Sequence, residues 1–182
     1  MASFILQPHR ATPCDFVDSV TVEVAPAPGA WQFTYRVAGD IDRLDTPAPV
    51  RSGPPERTHE LWRYTCFEAF ARRPSDEAAG DETYAEFNFS PSGAWAAYRF
   101  DRYRAGMADL ELAQPPGIVC QRQSHLLTVE VRIAAPELLP GSPLALSAVL
   151  KDLQGRVCYW ALAHPAGKPD FHAAVGFTAI LE

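Results

Sequence analysis

The chain has little cysteine, no surplus of positive charge and no long apolar run, and each absence excludes something. Its 182 residues hold four cysteines, Cys14, Cys66, Cys120 and Cys158, with no CxxC pair among them. That scatter argues against a zinc site, a covalent c-type haem site or a disulfide frame, and reads as four free thiols in a reducing compartment. Lysine and arginine number 16 against 22 aspartates and glutamates, a net charge of -6. A nucleic-acid binder or a partner of anionic membrane would show a basic face instead. The only apolar run near the start is Phe4 to Leu6, with no basic residues before it. Neither a secretory signal nor a membrane helix is expected, and the expected location is the cytoplasm. No GxSxG elbow, phosphate loop, dinucleotide fingerprint or HExxH motif occurs.

What is present is alternation. Ser19 to Ala25 (SVTVEVA) and Trp31 to Val37 (WQFTYRV) each place apolar residues at every second position, and APAPGA between them makes a hairpin. Asp45 to Glu60, rich in proline and charge, reads as a surface loop. Strands follow at about 62–71, 83–89 and 94–101, joined by PSDEAAGDE and a tight PSG turn. Tyr103 to Leu110 reads as irregular or briefly helical. Gly117–Gln121 and Leu126–Ile133 form another hairpin, and AAPELLPG a short turn of helix. Leu144–Lys151, Val157–Ala163 and Phe177–Leu181 complete about ten strands. Apolar content of 47%, 17 prolines and no long 3.6-residue period together predict one all-β domain over residues 1–182, a β-sandwich of jelly-roll or immunoglobulin-like form.

The stretch from Leu61 to Asp101 organises the functional reading. In TYAEFNF, Ala85, Phe87 and Phe89 share the core face, so Tyr84, Glu86 and Asn88 share the other. An aromatic, a carboxylate and an amide in a row suit a polyhydroxylated ligand; they also suit an ordinary solvated sheet face. Trp62, Trp95 and Trp160 lie in or beside strands, and Trp95 shares its face with Arg99. Sugars stack on aromatic rings through their C–H faces while polar groups read the hydroxyls, so Trp95 and Trp160 are the expected stacking platforms; filling the sandwich core is the alternative for each tryptophan.

Three other chemistries are open. Glu68 and Glu86, if on neighbouring strands, could act as a carboxylate pair on glycosides. The loop HPAGKPDFH holds His164, Asp170 and His172, which could meet a metal, although the spacing matches no metal motif. Haem would need His164 or His172 and could use Met107 as a second axial ligand.

LWRYTCFEAF, TYAEFNFSPSGAWAAYRFD and YWALAHPAGKPDFH resemble bacterial DOMON-like domain proteins, which are akin to family 9 carbohydrate-binding modules. The resemblance covers roughly residues 60–182. It implies a β-sandwich that binds a small ligand, with sugars or haem bound elsewhere in the wider superfamily. It implies Glu68, Glu86, Asn88, Trp95, Arg99, Trp160 and His172 as pocket residues, to which the loop chemistry adds His164. The expected function is non-catalytic binding of a carbohydrate or sugar-like metabolite, with no metal and no required cofactor. A haem-binding electron-transfer module and a carboxylate-pair enzyme are the alternatives.

Overall fold

The computed structural model describes residues 1–48, 55–80 and 82–182. Of the loop expected from Asp45 to Glu60, residues 49–54 therefore lie outside the described residues.

Among the described residues, twelve antiparallel strands form two facing layers. One layer runs β8 (Gly117–Gln123), β9 (Leu126–Ile133), β3 (Ala30–Gly39), β2 (Val17–Ala27) and β1 (Ala2–Pro8). The other runs β11 (Val157–Ala161), β10 (Pro143–Lys151), β4 (Cys66–Ala71), β5 (Tyr84–Phe89), β6 (Trp95–Phe100) and β7 (Ala108–Asp109). The short β12 (Ala179–Ile180) pairs with the start of β10. β1 belongs to both layers. Ala2 to Leu6 pair with β2, whereas Gln7 and Pro8 pair with Ala161 and Trp160 of β11.

The alternation seen in the sequence explains the layering. Val20, Val22 and Val24 of β2, Phe33, Tyr35 and Val37 of β3, and Leu127, Val129 and Val131 of β9 all point inward. They meet Phe67 and Ala69 of β4, Phe87 and Phe89 of β5, and Leu144 and Leu146 of β10. Tyr35 packs its ring 5.0 Å from Phe67 and donates its hydroxyl to the Glu68 carbonyl, so even this buried oxygen is satisfied. The fold is an all-β sandwich.

The two layers differ on their outer faces. On the β8–β1 side, the outward residues of β2 and β9 are half-buried or exposed, as in a solvated antiparallel sheet. On the other side, β4 and β5 are buried at every position. A second apolar cluster of Leu61, Phe70, Tyr84, Ala96, Tyr98, Phe100, Ala145 and Val149 covers that outer face, with Trp62, Tyr159, Phe171 and Phe177 packed on it. The solvated-face alternative for Tyr84, Glu86 and Asn88 is thereby removed.

The expected strands are present, although the one expected over about 62–71 starts only at Cys66, after a 3-10 turn at Leu61–Arg63, and the one expected over Phe177–Leu181 is confined to Ala179–Ile180; four other segments also differ. Ala2–Pro8 is a strand, because its single deeply buried residue, Leu6, is enough when both edges find partners. The segment expected as irregular or helical around 103–110 contains β7, which extends the sheet through Tyr98 and Arg99. Pro74–Ala79 in the first connector makes one short α-helix, and AAPELLPG forms turns only.

Candidate functional site

The covered outer face of β4, β5, β6, β10 and β11 is not fully closed. A pocket of about 540 Å³ opens over it. Glu68, Phe70 and Glu86 come from the strands; Trp62 comes from the turn before β4; Arg104 and Met107 come from the β6–β7 turn. Lys168, Phe171 and His172 come from the loop after β11. The sheet supplies acids and the rings of Phe70, Phe100 and Tyr159, and the loops supply further rings and the basic side chains.

Register explains why the two glutamates meet. Glu68 pairs with Asn88, and Phe70 with Glu86, so Glu68 and Glu86 are diagonal neighbours on one face. Glu68 is 2% exposed and accepts a hydrogen bond from Ser147 Oγ at 3.0 Å. Glu86 is 4% exposed and accepts one from Asn88 Nδ2 at 2.6 Å. Asn88 in turn accepts from the Cys66 thiol. Burial lifts both carboxyls well above the ordinary carboxylate range, and the charge of Glu86 raises Glu68 further. Neither has a lysine or arginine within ion-pair distance among the described residues.

His172 stands beside them. Its Nδ1 lies 2.7 Å from the Tyr84 hydroxyl, which also accepts the Arg104 backbone N–H at 3.2 Å. Burial pushes the Tyr84 hydroxyl up to about 12, so it stays protonated and can donate to Nδ1. That chain puts the histidine proton on Nε2, which faces Glu86 Oε2 at 3.7 Å. Burial first, and the nearby Arg104 charge second, hold His172 down to about 4, so the ring is neutral. Phe70 and Phe100 flank it at 5.2 and 5.1 Å between ring centroids.

Asp170 ties the loops to each other. Arg104 donates to its Oδ1 from Nη2 at 2.8 Å and from Nε at 3.2 Å, the His172 backbone N–H donates to it at 3.1 Å, and Tyr103 donates to the other oxygen. Burial raises the Asp170 carboxyl, but the Tyr103 and Arg104 hydrogen bonds outweigh it and leave the group below its ordinary value. The β6–β7 turn that delivers Arg104 is tight. Arg104 itself has φ 51°, and a side chain at Gly106, φ 69°, would run into the Asp101 carboxylate.

The residues expected at the site divide into three groups. Glu68, Glu86 and His172 line the pocket, and Asn88 supports Glu86 from within the sheet. Trp95 and Trp160 lie on the opposite face, in the main core, 6% and 4% exposed. The correction follows from register: Trp95 pairs with Phe89 across the hairpin, so it shares the core face of Phe89 and not the face of Glu86. Its indole donates to the Pro55 carbonyl, and the Arg57 guanidinium lies 4.7 Å from its ring. Arg99 sits near the open end of that same inner face, paired with Asp101 and lining a separate cleft of about 320 Å³. His164 is directed at the β1–β11 seam, where Nε2 donates to the Gln7 carbonyl at 2.8 Å and the ring meets His9 edge-on. It does not line the pocket.

Sequence reasoning missed Arg104, Trp62 and Phe171 as wall residues. Trp62 was visible as a tryptophan beside a strand. Arg104 and Phe171 stand in loops with no period to mark them.

No protein-family model matches the chain, and no curated protein matches it. Among solved structures, it is similar to a carbohydrate-binding module of family 9 from Caldicellulosiruptor kristjanssonii in complex with cellotriose. The TM-score is 0.54 at 12% identity, over 91% of this chain and 74% of that one. The likeness is one of fold. A second family 9 module from the same organism, in complex with glucose, aligns at TM-score 0.47 and 13% identity over 82% of this chain and 69% of that one.

Proposed function

We propose that this protein is a non-catalytic binding module for a carbohydrate or sugar-like metabolite, and that the pocket over β4, β5 and β10 is its site. The observation that carries the proposal is the pocket's division of labour. Trp62, Phe100, Tyr159 and Phe171 offer ring surface for the C–H face of a sugar, while Glu68, Glu86, His172 and Arg104 offer acceptors and donors for hydroxyls. A neutral His172 and two carboxyls that hold their protons unusually well can each donate or accept, which suits hydroxyl groups. The fold shared with a module solved in complex with cellotriose supports the reading, as do the motifs that resemble DOMON-like proteins.

No observation favours the haem alternative. Met107 and His172 both line the pocket, but His172 uses Nδ1 on Tyr84 and turns Nε2 to Glu86. His164 is engaged outside it.

Isothermal titration of the protein with a panel of mono- and oligosaccharides tests the proposal. Saturable heat with at least one saccharide, weakened about tenfold or more in Trp62→Ala, is the expected result. A silent panel, or a saccharide bound equally well by Trp62→Ala, Phe171→Ala and Glu86→Gln, would remove the pocket from consideration.

A further inference from the structure

The two buried glutamates are unusual for a reason that hydroxyl recognition alone does not need. Two acids side by side at the floor of a cavity repel each other when charged, and burial without a counter-ion is costly. Each carboxyl has only one hydrogen-bond donor among the described residues, Ser147 for Glu68 and Asn88 for Glu86. The neighbouring base, Arg104, is held by Asp170, and His172 stands 3.7 Å from Glu86. One oxygen of each glutamate thus has no hydrogen bond among the described residues, although both side chains are more than nine-tenths buried. The walls above them are aromatic, the surface that attracts an organic cation.

We infer that the ligand of this pocket carries an ammonium group, which sits between Glu68 and Glu86 beneath the aromatic wall. Resting on the carbohydrate reading, this makes the ligand class an amino sugar with a free amine. On binding, the ammonium donates to the free oxygens, its charge draws a proton from the acid pair to solvent so that a carboxylate faces it, and it presents a cation to the ring faces. The sugar ring then lies between Trp62 and Phe171, with its remaining hydroxyls toward His172 and Arg104.

Four probes separate the two layers of the argument: D-glucose, D-glucosamine, N-acetyl-D-glucosamine and choline, titrated calorimetrically into the full chain at a pH where the free amine is charged. The expected result is glucosamine bound about tenfold or more tightly than glucose or the acetylated sugar, one decade being the scale of a single favourable charge contact. In the Glu68→Gln/Glu86→Gln double variant the ratio of glucosamine to glucose affinity should fall to about one, whatever the substitutions do to glucose affinity itself. Glucose or N-acetylglucosamine binding as tightly as glucosamine would overturn the ammonium inference and leave the carbohydrate reading standing. Choline binding without any sugar would overturn the carbohydrate reading and keep the cation site. Silence from all four overturns both. Should the double variant fail to melt cooperatively, Glu86→Gln alone gives the same comparison, because it removes one charge and keeps the shape of the side chain.

Discussion

The Tyr84 hydroxyl lies 2.7 Å from His172 Nδ1, and this one contact joins the sheet floor of the pocket to the loop that roofs it. Tyr84 is in β5, whereas His172 follows Asp170 in the segment after β11. The same hydroxyl oxygen accepts the Arg104 N–H, so floor, turn and roof converge on a single atom.

Tyr84→Phe should therefore cost about 1–3 kcal/mol, the penalty for stranding buried polar partners rather than the net worth of one hydrogen bond. It should also release His172. The hydroxyl donates to the neutral ring, so its loss should let the histidine titrate somewhat above about 4, while burial and the Arg104 charge, the main causes of that low value, remain. Imidazole signals followed by NMR against pH decide this, and an unchanged midpoint would show that burial and the Arg104 charge alone set it.

The acid pair predicts an inverted pH dependence. Folded Glu68 and Glu86 hold their protons more tightly than the unfolded chain does, where a glutamate titrates near 4.5. The stability they contribute is complete below that pH and is lost as pH rises through their higher folded values. His172 acts oppositely: its contribution is present above 6.5 and fades as pH falls toward about 4. Glu68→Gln should flatten the alkaline side and raise stability at pH 8 by about 1–2 kcal/mol, since it removes a buried like charge. Thermal melts across pH for wild type and variant give the sign directly, and a steeper alkaline loss in the variant would refute it.

Trp95→Ala and Trp160→Ala should each destabilise by about 3–5 kcal/mol, as expected for aromatic truncation in a sandwich core. Denaturant melts measure this. A near-neutral Trp95→Ala would contradict its 6% exposure.

Asp170→Asn should loosen the roof. It removes the charge that Arg104 meets at 2.8 Å while keeping an acceptor, so the global melt should move little, because half-exposed ion pairs contribute only about 0–1 kcal/mol. Amide exchange around residues 103–106 and 168–172 should nevertheless accelerate. Unchanged exchange there would show that the Tyr84 contact suffices to hold both segments.

Much of the sheet was legible because period-2 alternation is a local signal. β2, β3 and β9 each wrote their inward face into every second residue, and TYAEFNF separated Phe87 from Glu86 correctly. Alternation says which residues share a face, but not which strands share a sheet. Trp95 and Arg99 lie on one face as expected, yet that face belongs to the core along most of β6 and reaches solvent only near Arg99. The hairpin closed by Ser90 and Ala94 held the correction, since Phe89 and Trp95 directly flank it and must point the same way. The loops were not legible for a different reason. Arg104, Phe171 and the target of His164 depend on contacts between segments far apart in sequence, and no local period encodes those.

β1 carries a consequence for how the molecule is made. Its first residues zip to β2, which follows at once, but Gln7 and Pro8 must wait for Ala161 and Trp160. β4 is in the same position, with a partner in β10 across more than a third of the chain. Contacts of such long range are slow to close, because the intervening chain must be ordered before they repay its entropy. On the ribosome, the β2–β3 hairpin can form early, but the layer that holds the acid pair cannot close until β10 and β11 have emerged. Until then β1 presents an unpaired edge, and a nascent chain stalled before β11 would be the species most prone to aggregate.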